Sequence, residues 1–217
     1  MKSLPSILIP FIVVAFATPL LAQETVGGEW YDLHTYEGIF EGDHYGKSID
    51  TLSDINGDGW KDWIIGAPGA ENSSGNIDAG IARVYSGKNG KLLYAFQGGG
   101  AYDHMGTAVG SPRDVDGDGY KDILVSADWE DAGGLHNSGA VYLFSGFNGS
   151  LIHRWEGGSI DDNLGTTVSG VGDFNGDTVF DVLVGAPFAD NPFTGEADTG
   201  AVYVFSGAPP YEPLHQY

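Results

Sequence analysis

Asp114-Val115-Asp116-Gly117-Asp118-Gly119-Tyr120-Lys121-Asp122 decides the fold, because this nine-residue pattern occurs three times in the chain. The other two copies begin at Asp54 and Asp173, so the copies start 60 and 59 residues apart (114 − 54 and 173 − 114). A fixed period of that size predicts a solenoid, a propeller or an array of repeats.

Each copy places side-chain oxygens at loop positions 1, 3, 5 and 9. Carboxylates packed this closely repel one another unless a hard cation lies among them, and Ca2+ takes about six to eight oxygen ligands. Asp-Gly clusters also form ordinary turns, but three copies in register favour a metal. An EF-hand is excluded, because position 12, where an EF-hand has Glu, is Ile65, Val125 or Val184 here.

The sequence therefore predicts three calcium loops, with the backbone carbonyl at position 7 as an additional ligand and water completing the shell. Thr178 stands at position 6 of the third loop, where the other copies have Gly. Because a β-branched residue resists positive φ, we expect the third site to be distorted and weaker. The predicted ligands are Asp54, Asn56, Asp58, Trp60 and Asp62; Asp114, Asp116, Asp118, Tyr120 and Asp122; and Asp173, Asn175, Asp177, Val179 and Asp181.

The composition limits the function classes. The 217 residues carry a formal charge of −21 with only nine basic residues, which disfavours a nucleic-acid partner. Cysteine is absent, so disulfides and thiolate chemistry are excluded. The 35 glycines, together with many β-branched and aromatic residues, favour short strands joined by tight turns.

Residues 1–22 have the pattern of a secretion signal, with Lys2, an apolar run and Leu20-Leu21-Ala22 before the cleavage point. A retained N-terminal anchor is the alternative, and only that would attach the chain to a membrane. We expect residues 23–217 to be secreted or held at the cell surface, where Ca2+ concentrations fill weak sites.

Each period predicts four antiparallel strands, which is typical of a propeller blade. A turn such as Asp103-His104-Met105-Gly106 leads in, and two strands flank the acidic loop. Third strands are predicted at Ile81–Tyr85, Ala140–Phe144 and Ala201–Phe205, each followed by Ser-Gly. The fold class is therefore all-β, with β-propeller blades at about 38–97, 98–157 and 158–207.

The repeated pattern resembles the FG-GAP repeat of integrin α-subunit propellers over about residues 30–207. The Phe-Gly element stands here as Tyr45-Gly46, Met105-Gly106 and Leu164-Gly165, and Gly-Ala-Pro occurs at 66–68 and 185–187. The second copy departs from it with Ser126-Ala127-Asp128. The resemblance implies that the predicted ligands bind Ca2+ on the lower face of a propeller, and it implies a role in adhesion.

Three periods give an incomplete ring in one chain. Residues 29–37 are predicted to form an offset outer strand, and Ala208-Pro209-Pro210 is expected to end the last period after its third strand. One hypothesis is that chains assemble, each lending its N-terminal strand to another's incomplete blade. A partial gene product is the alternative.

The best-supported function is binding of a protein or cell-surface ligand, without enzymatic activity. The alternatives are a propeller scaffold of an extracellular hydrolase, and a structural envelope repeat or gene fragment without a specific ligand.

His44 and His104 occupy equivalent turn positions, which favours a turn role over catalysis. The loops at 69–79, 129–138 and 188–199 are expected opposite the metal loops, with Trp129, Phe188 and Phe193 either anchoring a partner or packing locally. Asn72 and Asn148 begin glycosylation sequons.

Overall fold

A computed structural model describes residues 35–191 and 194–216. The predicted signal segment and most of the predicted strand at 29–37 lie outside the described residues, as does Phe193. Within the described ranges the chain is all-β, with twelve strands and one short 3-10 turn at Ala132–Gly134. No described helix has the length and apolar character needed to span a bilayer.

The strands form three four-stranded antiparallel sheets, and in each sheet the strands follow one another in chain order. This is the predicted blade organisation, and the ring is not closed within this chain. The first sheet contains β1 (Ser48–Thr51), β2 (Trp63–Ala67), β3 (Ile81–Tyr85) and β4 (Leu92–Gln97). The second contains β5 (Met105–Gly110), β6 (Ile123–Ala127), β7 (Ala140–Phe144) and β8 (Leu151–Glu156). The third contains β9 (Thr167–Gly172), β10 (Asp181–Ala186), β11 (Ala201–Phe205) and β12 (Pro213–Gln216).

The third strand of every sheet has the predicted bounds, because Gly precedes it and Ser-Gly follows it each time. The end of the last period was predicted wrongly. After Pro209-Pro210 the chain returns as β12, which pairs antiparallel with β11. Proline is tolerated here because β12 is an edge strand, where one row of N–H groups has no partner in the sheet. The third sheet therefore has its own fourth strand, and no N-terminal strand is needed to complete it.

The core lies between the sheets, and β6 shows how it is built. All five residues of β6 are buried. Ile123, Val125 and Ala127 pack in a cluster with the first sheet. Leu124 lies in a separate cluster with the third sheet. Because strand side chains alternate between faces, one strand supplies both interfaces, and the sheets stack face to face like propeller blades.

Aromatic pairs join the outer parts of neighbouring sheets in a repeated way. Phe96 of β4 stacks on Phe144 of β7, with ring centroids 4.0 Å apart. Trp155 of β8 stacks on Phe205 of β11 at 5.5 Å. These residues occupy equivalent positions in successive sheets, so the same contact stabilises both interfaces; such pairs add about 0.5–1.5 kcal/mol beyond area burial.

The antiparallel order separates two ends of each sheet. The acidic loop joins the first and second strands, and it lies at the same end as the Ser-Gly that follows the third strand. The lead-in turns and the loops between the second and third strands lie at the opposite end, as predicted. These are called the metal-loop end and the lead-in end below.

Candidate metal centres

The second acidic loop folds around the carboxylate of Asp114. One oxygen, Oδ1, accepts hydrogen bonds from the N–H groups of Gly117 and Asp118, and Oδ2 accepts one from Gly119. Gly117 and Gly119 have φ of +80° and +93°, which only glycine adopts at no steric cost. The alternating Asp-Gly sequence thus turns successive N–H groups inward onto the first carboxylate.

The carboxylate at position 9 is fully buried in all three loops, at Asp62, Asp122 and Asp181. Its oxygens accept hydrogen bonds from two separate parts of each blade. Asp122 Oδ2 accepts from Val115 N at 2.7 Å, and Oδ1 accepts from Gly146 N at 3.1 Å. The first and third loops repeat both contacts, with Ile55 and Gly87, and with Phe174 and Gly207. This residue therefore fastens the acidic loop to the exit of the third strand.

The serine of Ser-Gly contacts the acidic loop in the first two blades, where the sequence predicted only the end of a strand. Ser86 Oγ donates to Asp58 Oδ2 at 2.8 Å, and Ser145 Oγ donates to Asp118 Oδ2 at 3.3 Å. The third copy differs, because Ser206 Oγ donates to the carbonyl of Ala208 instead. The recurrence of Ser-Gly after every third strand was the signal that could have identified this brace.

Three carboxylates converge in the second loop. Asp114, Asp116 and Asp122 each place an oxygen within 4.8 Å of the others. In the described part of the chain, no other three carboxylate, imidazole or thiol groups come this close. The first and third loops have Asn56 and Asn175 at position 3, so an amide oxygen replaces the third carboxylate there.

The third loop keeps the same backbone shape despite its substitution. Thr178 has φ of +75°, beside +89° for Gly59 and +93° for Gly119. Its N–H still donates to Asp173 Oδ2 at 3.0 Å. The loop therefore accepts an unfavourable φ, at a cost of about 1–3 kcal/mol, while it retains the hydrogen bonds of the other two copies.

Burial raises the pKa of Asp122 to about 6, and the charge of Asp116 adds to the effect. Burial also raises the pKa of Asp116, together with the charges of Asp118 and Asp114. The pKa of Asp62 is raised by burial as well. Asp58 differs, since hydrogen bonds from Ser86 and Trp60 N outweigh its desolvation and lower its pKa. Buried carboxylates with raised pKa values are stabilised in the ionised form by a bound cation.

The chemistry of the donor set fits Ca2+. The converging atoms are carboxylate oxygens, which are the ligands that hard divalent cations prefer. None of the ion pairs in the described ranges neutralises a carboxylate of the second loop. The predicted carbonyl ligand at position 7 belongs to a residue whose N–H donates to the position-5 carboxylate, as in Tyr120 N to Asp118 Oδ1 at 2.8 Å.

The lead-in end has left-handed turn residues and a cavity in place of acidic loops. His44, His104 and Asn163 all adopt the left-handed conformation, with φ of 51°, 59° and 52°, so the two histidines have the predicted turn role. A cavity of about 320 Å3 lies here, lined partly by Lys47, Thr107 and Asp128. Asp128 replaces the proline of the other copies and accepts a hydrogen bond from Thr107 Oγ1 at 2.7 Å.

At the lead-in end, the side chains of Trp129 and Phe188 reach solvent, whereas the sequon asparagine Asn72 is buried. Trp129 is partly exposed but packs on His104, with ring centroids 4.4 Å apart. Phe188 is exposed. Asn72 is buried, and its amide donates to the carbonyl of Gly98 at 2.7 Å. Of the two sequon asparagines, Asn148 is the exposed one.

Comparisons with known proteins agree with the repeat. The FG-GAP repeat family model matches residues 105–144 and 164–205. Integrin alpha-V of Gallus gallus is 29% identical over 174 residues, covering 77% of this chain and 16% of the relative. Integrin alpha-5 of Xenopus laevis is 28% identical over 177 residues (78% and 16%), and human integrin alpha-11 is 31% identical over 157 residues (67% and 13%). The chain therefore spans about a sixth or less of the length of these curated relatives.

Among solved structures, the rhamnogalacturonan lyase PL11 of Bacillus licheniformis aligns with a TM-score of 0.47 and 15% identity, over 80% of this chain and 34% of its own. The repeat matches, the integrin sequences and the three antiparallel sheets agree on one assignment. The chain is an integrin-α-like FG-GAP repeat protein.

Proposed function

We propose that this chain is an exported calcium-binding propeller segment that serves as a binding module for proteins or cell-surface ligands. The observation that carries the calcium part is the convergence of Asp114, Asp116 and Asp122 within 4.8 Å. The adhesion part rests on the similarity to integrin α chains, of which this chain spans a small part.

In this proposal, all fifteen predicted ligand residues act in three equivalent loops. Bound Ca2+ supplies positive charge that neutralises each acidic loop. The chain's own residues do the rest: the position-1 carboxylate holds the loop N–H groups, and the position-9 carboxylate fastens the loop to the third-strand exit. Cation binding is thereby coupled to the geometry of the first three strands of each blade.

The proposed ligand surface is the lead-in end, opposite the calcium loops. Exposed Phe188 and partly exposed Trp129 are large apolar side chains of the kind that anchor protein interfaces. We propose that the module acts outside the cell, secreted or displayed at the cell surface, where a calcium-rich medium would fill the loops.

Calcium titration of the purified chain tests the calcium part. We expect Ca2+ to raise the melting temperature and a chelator to lower it, because a ligand that binds only the folded state stabilises it. Asp116→Ala should weaken the calcium response, whereas Glu71→Ala, which removes an exposed acid outside the loops, should leave it unchanged. A melting temperature indifferent to both Ca2+ and chelator would refute the calcium assignment.

Binding to intact cells and to immobilised matrix proteins tests the adhesion part. We expect calcium-dependent binding that Phe188→Ala reduces. Leu92→Ala serves as the control, since Leu92 is equally exposed but lies on the outer strand β4. Equal binding by both variants would move the ligand surface away from the lead-in end.

A further inference from the structure

Backbone hydrogen bonds join the first sheet to the second at the lead-in end. The carbonyls of residues 77–79, in the loop before β3, accept hydrogen bonds from the lead-in turn of the second sheet, residues 102–106. The three bonds are Tyr102 N to Ile77 O at 2.9 Å, His104 N to Asp78 O at 3.1 Å and Met105 N to Ala79 O at 2.9 Å. We name residues 77–80 the first acceptor loop.

The second and third sheets are joined in the same way. Residues 136–139 form the second acceptor loop. Its first three carbonyls accept hydrogen bonds from the lead-in turn of the third sheet, residues 161–165. The bonds are Asp161 N to His136 O at 2.8 Å, Asn163 N to Asn137 O at 3.1 Å and Leu164 N to Ser138 O at 3.0 Å. At this second junction the side chains of His136 and Asn137 also contact the Asp161 carboxylate. The backbone bonds are the part that both junctions share, and they depend on the shape of the two segments.

A third acceptor loop, residues 197–200, has the same shape. Asp198 has φ of 53°, beside 51° for Asp78 and 46° for Asn137. Gly200 has φ of 78°, and its N–H donates to the carbonyl of Ala189, as the corresponding glycines of the other loops donate to Ala70 and Glu130. No described N–H group donates to the carbonyls of residues 197–199. Thr199 is exposed, whereas the equivalent Ala79 and Ser138 are fully buried.

The first lead-in turn, residues 42–46, is the complementary segment. Gly42 and His44 have φ of 94° and 51°, and the equivalent residues of the third sheet, Asp161 and Asn163, have φ of 63° and 52°. The Asp43 carboxylate braces this turn by accepting from Phe40 N at 3.0 Å, as Asp162 does from Ser159 N at 2.9 Å. Within the described residues, the N–H groups of Gly42 and His44 donate to no acceptor.

The sheet faces beside these segments are apolar and exposed. Ile49 of β1 is 73% exposed, whereas Val109 at the equivalent position of β5 is 8% exposed. Val202 of β11 is 39% exposed, whereas the equivalent Ala82 and Val141 are fully buried. Val109 and Ala82 belong to one core cluster. The packing of the first sheet on the second therefore brings together Val109, the equivalent of Ile49, and Ala82, the equivalent of Val202.

We propose that the first lead-in turn and β1 of one copy of this chain dock on the third acceptor loop and the β10–β11 face of a second copy. The second copy is the favoured occupant because each chain carries both halves of a junction that it forms twice internally. Three sheets in each of two chains make six, within the range of about four to eight blades found in propellers. Because the contact is head-to-tail, repeated docking of copies either closes into a ring or continues as an open filament.

Light scattering on the purified chain, with Ca2+ present, tests the proposal. We expect a particle of two or more chains. Ile49→Asp and Val202→Asp, on the two halves of the junction, should each reduce the mass to one chain, and circular dichroism should show that both variants remain folded. Leu151→Asp is the matched control: Leu151 is exposed, but it lies in the middle sheet, which has both neighbours already. This control should keep the wild-type mass.

Mixing the two variants gives the sharper result. Each retains one intact half, so the mixture should form a particle of two chains, one of each variant, and should stop there. A single-chain mass for the wild-type protein would overturn the proposal. It would also be overturned if the mixture stayed at one chain, or if the wild-type mass survived in either variant. The calcium titration is a separate readout, so these outcomes leave the proposed function untouched.

Discussion

Asp122 Oδ1 accepts a hydrogen bond from the backbone N–H of Gly146 at 3.1 Å, across 24 residues of chain. The bond joins the end of the second acidic loop to Gly146, two residues after the end of β7. The same bond occurs between Asp62 and Gly87 and between Asp181 and Gly207. The acidic loop and the Ser-Gly element are therefore one structural unit in every blade.

Gly146→Ala should destabilise the protein. A Cβ at this position would lie 1.9 Å from the carbonyl oxygen of Lys121, a backbone atom that cannot move without disturbing the acidic loop. We expect the free energy of unfolding to fall by about 1–3 kcal/mol, the usual cost of overpacking. Urea unfolding followed by circular dichroism measures this change. Gly158→Ala is the control, because its Cβ would meet nothing within 4 Å; a similar loss in both variants would argue against a steric cause.

Thr178→Gly should stabilise the third loop. Thr178 has φ of +75°, a conformation that glycine adopts without strain. Relief of about 1–3 kcal/mol of strain is partly offset by about 0.4–1 kcal/mol of added unfolded-state entropy, so we expect a net gain of about 1 kcal/mol. Thermal unfolding checks it. The reciprocal Gly119→Thr should destabilise the second loop, and a loss of stability in both variants would contradict the strain argument.

Ser86→Ala and Ser145→Ala should weaken calcium binding, whereas Ser206→Ala should not. The first two hydroxyls donate to position-5 carboxylates, and the third donates to a backbone carbonyl. Loss of one such hydrogen bond costs about 0.5–1.5 kcal/mol, so affinity at the affected loop should fall by up to about tenfold. Calorimetric titration with Ca2+ measures it, and equal effects of all three substitutions would exclude a specific brace.

Asp128→Asn should change how stability depends on pH. Burial raises the pKa of Asp128, although Thr107 donates to its carboxylate and His104 and Lys47 lie near enough to oppose the shift. A raised pKa means that folding favours the protonated acid, so this contribution is fully present below the unfolded pKa of about 3.9 and is lost as the pH rises through the folded value.

Asparagine keeps an acceptor for Thr107 and removes the charge. The stability of Asp128→Asn relative to wild type should therefore increase as the pH rises above about 4 and then level off. Urea unfolding of both proteins at a series of pH values, each with Ca2+, measures this difference. A difference that stays constant with pH would contradict the assignment.

Much of the fold follows from local sequence. The third strands could be placed to the residue because Gly and Ser-Gly flank each alternating apolar run. β12 could not, since Pro209-Pro210 and Pro213 indicate a break. The tolerance of an edge strand for Pro213 depends on where β11 lies, which is tertiary information.

Only the part of the site that is encoded by local sequence could be predicted. The Asp and Asn spacing indicates the loops directly, but the contact between Ser145 and Asp118 spans 27 residues and has no local pattern. The conformation of Thr178 shows the same limit. Its intrinsic preference argues against a positive φ, yet the hydrogen bonds to Asp173 hold the loop in the shape of the glycine copies.

Because the side chains of β6 are divided between two interfaces, the middle sheet is stabilised by both of its neighbours. Nearest-neighbour coupling of this kind makes a repeat array fold as a unit, with the terminal elements opening first. The backbone amides of β6 should then be the slowest in the chain to exchange their hydrogens for deuterium, while those of the outer strand β12 exchange early.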